Sequence, residues 1–166
     1  MEPSLQNFLY ALFLTLHNLT RWLVIVFAVL VLVRAFRGWL KGLTWEKSDD
    51  RAGILYTSFL DTQFLLGLML YFLFSPWPSQ LFANFSAGMK NPIVAFFGLE
   101  HVIPMVIAIV VAHMGRAFSR KAADAAAKHR TAAIWFSVSV VLILIAIPWP
   151  FLAYGRPIFR LFGLTI

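Results

Sequence analysis

Four apolar stretches, at about 8–36, 52–75, 92–117 and 131–154, constrain this chain of 166 residues more than anything else in it. Each is long enough, at a rise of about 1.5 Å per residue, to cross a hydrocarbon core about 30 Å thick. They predict an all-α fold: an integral membrane four-helix up-down bundle, one transmembrane domain over residues 1–166. Composition points the same way. Apolar residues make up 61% and charged residues 13%, and mean hydropathy is +0.81. Globular domains carry roughly half and a quarter. The first stretch lacks a basic leader and a small-residue cleavage site, so it reads as a retained helix. With no cysteine, disulfides, iron–sulfur clusters, thiolate zinc sites and thiol catalysis are excluded.

The connections carry start and stop signals. Ser48, Asp49 or Asp50 is placed to cap the second helix, and Asn91-Pro92 reads as a cap followed by a first-turn proline. The alanine-rich run Ser119–Lys128 is expected to prolong the third and fourth helices, and Pro148-Trp149-Pro150 to stop the last. Asn84-Phe85-Ser86 matches a glycosylation sequon, a match short enough to arise by chance.

The net charge of +7 belongs to lipid headgroups rather than to nucleic acid, because the basic residues cluster at the ends of apolar runs. The first and third connections and their flanks hold ten: Arg34, Arg37, Lys41, Lys47, Arg51, Arg116, Arg120, Lys121, Lys128 and Arg130. The opposite side holds three, Lys90, Arg156 and Arg160. The positive-inside rule then puts both termini on the extracytoplasmic side. Trp39, Trp45 and Trp135 mark one interface, Trp77 and Trp149 the other.

Ionisable groups at membrane depth are costly, and each is a functional candidate. The first helix carries His17, Asn18 and Arg21; the second Thr57, Ser58, Asp61, Thr62 and Gln63; the third Glu100, His101 and His113; and His129 precedes the fourth. His17 and His101 lie about nine residues into helices that run the same way, so both sit about 13–14 Å deep. That arrangement suits one imidazole on each face of a haem iron. The rival reading is a buried polar contact. His113 and His129 share the other end and admit two readings, a second haem site or a pair of interfacial histidines. Twelve residues turn His101 and His113 by about 120° on an ideal helix, away from a common face, unless Pro104 alters the phase. Arg21, one turn below His17, would compensate a haem propionate or pair with Glu100 or Asp61. Asp61 and Glu100 are candidates for proton or quinone handling, or plain structural carboxylates. A mixed metal site of His17, Asp61, Glu100 and His101 ranks below haem, since the Glu-x-x-His spacing of di-iron bundles is missing. No phosphate-cradling glycine loop, nucleophile elbow or His-Glu-x-x-His helix is present, so nothing marks the chain as an enzyme by itself.

These residues carry a resemblance. Leu16-His17-Asn18-Leu19-Thr20-Arg21-Trp22, Asp61-Thr62-Gln63-Phe64-Leu65-Leu66-Gly67, Glu100-His101, Ala112-His113-Met114-Gly115-Arg116, Lys128-His129-Arg130 and Ile147-Pro148-Trp149 together resemble small four-helix bacterial membrane proteins labelled cytochrome b. The resemblance spans nearly the whole chain. It implies one haem b, or two if the His113/His129 site exists. It also implies exchange of electrons between the quinone pool and another membrane redox subunit, and residence in the bacterial inner membrane. Two other classes compete: a cofactor-free subunit of a larger membrane complex, and a small proton or ion translocator using Asp61, Glu100 and His101.

Overall fold

The computed structural model describes residues 3–161 and 164–165. Its regular elements are helices, apart from a two-residue antiparallel pairing of β1 (Arg160–Leu161) with β2 (Leu164–Thr165). Four helical spans are long and apolar enough to cross a membrane: Leu5–Lys41, Lys47–Phe74, Pro92–Lys121 and Ala125–Ala146. The elements are α1 (Pro3–Lys41), α2 (Lys47–Met69), the short α3 (Pro76–Ala83), α4 (Phe85–Lys90) and α5 (Pro92–Ala95), then α6 (Val102–Lys121) and α7 (Ala125–Ala146). Two π-helical turns interrupt the regular winding, Leu70–Phe74 after α2 and Phe96–Glu100 after α5.

The ends follow local chemistry. α2 begins earlier than its polar run suggests. Glu46 is the N-cap and Asp49, at the third helical position, accepts from the Glu46 N–H at 2.8 Å. Asn91 caps the third span as expected, accepting from the N–H groups of Ile93 and Val94. Asn84 caps α4, accepting from the Ala87 N–H at 3.0 Å. Asp124 caps α7 and leaves only a three-residue turn after α6, so the alanine-rich run is helical on both sides. The fourth helix stops at Ala146, just before the expected Pro148-Trp149-Pro150 stop and short of the end of its apolar stretch at 154, because Pro148 and Pro150 cannot donate to the preceding turn.

α1 and α6 each pack along both α2 and α7, which closes a ring of four long helices. Small residues permit the close approach. Ala108, Ala112 and Gly115 form one stripe of α6, and a methyl group built on Gly115 would fall 2.5 Å from Trp135 Cβ on α7. A buried polar link crosses the bundle. The Tyr56 and Ser139 hydroxyls are 2.8 Å apart, and Ser139 donates to the Ala108 carbonyl at 2.8 Å. Val26, Leu65, Phe72, Val110 and Ile145 are exposed on the outer surface, as lipid contact requires.

The second π turn has an identifiable cause. Pro104 has no N–H for the Glu100 carbonyl, and the widened turn ends at Glu100. Tyr71, in the first π turn, donates to the Gly98 carbonyl in the second at 2.8 Å and ties the two together. His101 comes directly after it.

Candidate functional site

α1 and the start of α6 each bring one imidazole to the wall of a cavity of about 200 Å³ lined by α1, α2, α6 and the end of α7. The ring centres of His17 and His101 are 6.4 Å apart and the ring planes meet at 71°. Because α7 ends at Ala146, and the residue that would serve its carbonyl is Pro150, that carbonyl is left free. His101 Nδ1 occupies it at 2.7 Å. A carbonyl only accepts, so Nδ1 carries a proton, and in the neutral ring Nε2 keeps its lone pair. His17 Nδ1 is buried with no hydrogen-bond partner among the described residues.

The backbone around His17 is held from α2. Gln63 donates to the His17 carbonyl at 2.9 Å, and its side-chain oxygen hydrogen-bonds the Thr20 hydroxyl. Gly67, one turn further along α2, leaves room for the ring: a methyl group there would lie 3.3 Å from Cε1.

The charge of the cavity is one-sided. Arg21, Arg156 and Arg160 line it, and among the described residues no aspartate or glutamate does. Arg21 donates through Nη2 to the Ile158 carbonyl at 2.6 Å, so it pairs with neither Glu100 nor Asp61. Among the described residues Arg160 Nε is buried and meets no partner. Arg156 stacks over Phe97 at 4.6 Å. Burial lowers the Arg156 pKa from its ordinary value; Tyr10 works against this, and neighbouring Arg160 adds a smaller lowering.

Arg156 and Arg160 reach this site because the segment after α7 folds back along α1. Ile158 offers one carbonyl to Arg21, to Trp22 Nε1 at 3.1 Å and to Asn18 Nδ2 at 3.4 Å. The Arg160 N–H returns a bond to Asn18 Oδ1 at 3.2 Å, and Phe159 stacks on Trp22 at 5.7 Å. Sequence reasoning counted Arg156 and Arg160 only as charges of the outer surface. Their four-residue spacing among apolar neighbours, just past the prolines, was the available signal.

The other candidates lie elsewhere. His113 Nε2 is 2.8 Å from Asp61 Oδ1, and both side chains are half-exposed on the outer flank of α2 and α6. His129 is buried at the opposite end of the bundle, with Nε2 3.2 Å from the Thr44 carbonyl and its ring against Trp45. His113 and His129, which the sequence left as either a second haem site or interfacial histidines, therefore have different partners, because each helix turns its ring toward a different neighbour. Glu100 is exposed and joins neither Arg21 nor the histidines. Among the described residues no three His, Cys, Asp or Glu side chains gather, so the mixed site of His17, Asp61, Glu100 and His101 is not assembled.

No family model matches the chain, and no curated protein or solved structure does either.

Proposed function

We propose that the chain is a b-type cytochrome subunit of the bacterial inner membrane, passing electrons between the quinone pool and a partner redox subunit. The observation that carries this reading is the spacing of His17 and His101. Two imidazoles that share one metal ion each approach it to about 2 Å, which puts their ring centres about 6 Å apart. The observed 6.4 Å leaves that room.

The donor set fits haem better than a bare metal ion. Two imidazoles without a third protein ligand suit an iron whose remaining donors come from a macrocycle. His101 Nε2 is free to ligate, and the Ala146 carbonyl on Nδ1 supports the ring from behind, as ligating histidines require. The arginines fit the two carboxylates of a porphyrin: Arg21, Arg156 and Arg160 supply positive charge that, among the described residues, no carboxylate in the cavity balances. Haem, when bound, supplies reversible one-electron carriage. The chain holds the ring in place, compensates its charge and keeps it within lipid.

The supporting topology is an up-down bundle with both termini outside, drawn from the ten-to-three basic asymmetry. A proton or ion path through Asp61, Glu100 and His101 has less support, since Asp61 faces outward with His113 while His101 faces the cavity.

The deciding experiment is a visible spectrum of the purified chain with His17→Ala and His101→Ala beside it. The wild type should show a reducible b-type α band, and each variant should insert but lose the low-spin signal. A colourless wild type, or an unchanged bis-histidine spectrum in both variants, would overturn the proposal.

A further inference from the structure

The two imidazoles of the cavity differ in what stands behind them. A neutral histidine that ligates a metal through one ring nitrogen carries its proton on the other, and that N–H calls for an acceptor. His101 has one, the Ala146 carbonyl at 2.7 Å from Nδ1. Phe96 and Phe97 also pack on the His101 ring, with centres 5.6 and 6.4 Å from it, and hold its orientation. His17 has no such support. Its Nδ1 is covered by protein and meets no hydrogen-bond partner among the described residues. A covered nitrogen cannot reach a metal, so ligation by His17 uses Nε2 and leaves a buried Nδ1–H unsatisfied. A buried donor left unpaired corresponds to ligation about tenfold weaker than His101 achieves.

We infer that His17 is the displaceable one of the two imidazoles, and that a small neutral diatomic molecule such as carbon monoxide binds in its place; this rests on the haem reading above. The surroundings select the ligand. Gln63 holds the His17 carbonyl at 2.9 Å, so the backbone stays and only the ring turns away. Leu14, one turn before His17 on α1, and Leu60, Phe64 and Leu68 on α2 line the same cavity. Arg21 is engaged by the Ile158 carbonyl. A group entering here meets hydrocarbon from both helices, which suits a small uncharged molecule and penalises a hydrated anion. In the exchange, His17 Nε2 withdraws with its electron pair and the incoming carbon donates the pair that replaces it. No electron or proton is transferred, and the reduced state that carbon monoxide requires is the one the quinone pool supplies in that reading.

The test uses the full purified chain, reduced with dithionite and mixed with carbon monoxide, followed by visible and infrared spectroscopy. The wild type should pass from the bis-histidine spectrum to a carbon monoxide form. His17→Ala should bind the gas faster and give the same C–O stretching frequency, because His101 stays opposite the ligand in both. A side chain at Gly67 starts 3.8 Å from His17 Nδ1, within reach of a serine hydroxyl. Gly67→Ser supplies the missing acceptor and should slow binding about tenfold relative to Gly67→Ala, which adds similar bulk without the hydroxyl. Equal rates in these two variants, or a wild-type frequency matched by His101→Ala and not by His17→Ala, overturns the inference. So does cyanide binding to the oxidised chain while the reduced chain ignores carbon monoxide. A red chain inert to carbon monoxide overturns this inference alone and leaves the electron-transfer reading standing. A chain that stays colourless even after reconstitution with haemin overturns both.

Discussion

Gly67 lies against the imidazole of His17, so close that a methyl group on it would come within 3.3 Å of Cε1. A hydrogen at this one position on α2 leaves the His17 ring where it stands. Gly67→Leu is expected to push the ring off its position and to weaken or abolish the low-spin haem signal without preventing insertion. Gly53→Ala is the control, because its new methyl would meet nothing nearer than 3.6 Å. Haem content and low-temperature paramagnetic resonance read both.

The arginines make a separable prediction. Hydrogen bonds to charged groups are worth about 1.5–3 kcal/mol, and one lost contact corresponds to roughly tenfold or more in affinity. Arg160→Gln should therefore lower haem retention about tenfold in a competition with apomyoglobin. The bis-histidine spectrum of the haem that remains should not change. Equal retention by wild type and variant would mean that Arg160 has another counter-ion.

The buried Tyr56–Ser139–Ala108 link should matter for stability and not for the spectrum. Ser139→Ala leaves the Tyr56 hydroxyl without its partner in the core, at a cost of about 1–3 kcal/mol. A drop in thermal midpoint with an unchanged α band is expected. A shifted α band would place the link in the cofactor pocket.

At the far end, His129 has a carbonyl and an indole as neighbours. His129→Ala should keep full haem content and cost stability only. Gly38→Ala should also destabilise this end, since its methyl would fall 2.3 Å from the His129 ring. Loss of half the haem in His129→Ala would restore a second site.

Topology is checked with single cysteines at exposed positions in intact cells. A cysteine at Ser48 should resist an impermeant thiol reagent, and one at Ser86 should react. The reverse pattern would invert the bundle.

Much of the fold was legible in the sequence because it depends on quantities local to one helix. The four spans follow from apolar length, which lipid demands whatever the neighbours are. The Asn91-Pro92 start and the stop before Pro148 follow from backbone chemistry. The spacing of polar groups along each helix follows from rise per residue alone. Azimuth is different. α7 is apolar nearly all round, so its pattern does not say which side faces the bundle, and the π turns at Leu70–Phe74 and Phe96–Glu100 shift the helical phase of the residues beyond them. His113 consequently meets Asp61 rather than His129, and Arg21 meets a carbonyl rather than a carboxylate. The fold-back that brings Arg156 and Arg160 to the cavity is a contact between residues about 140 positions apart, and the free Ala146 carbonyl beneath His101 exists only where two helices meet. The sequence by itself determined how the polar groups are spaced along each helix, because rise is a property of a single helix. Only the tertiary structure decided which groups face one another, because rotation about the helix axis is set by packing against neighbours.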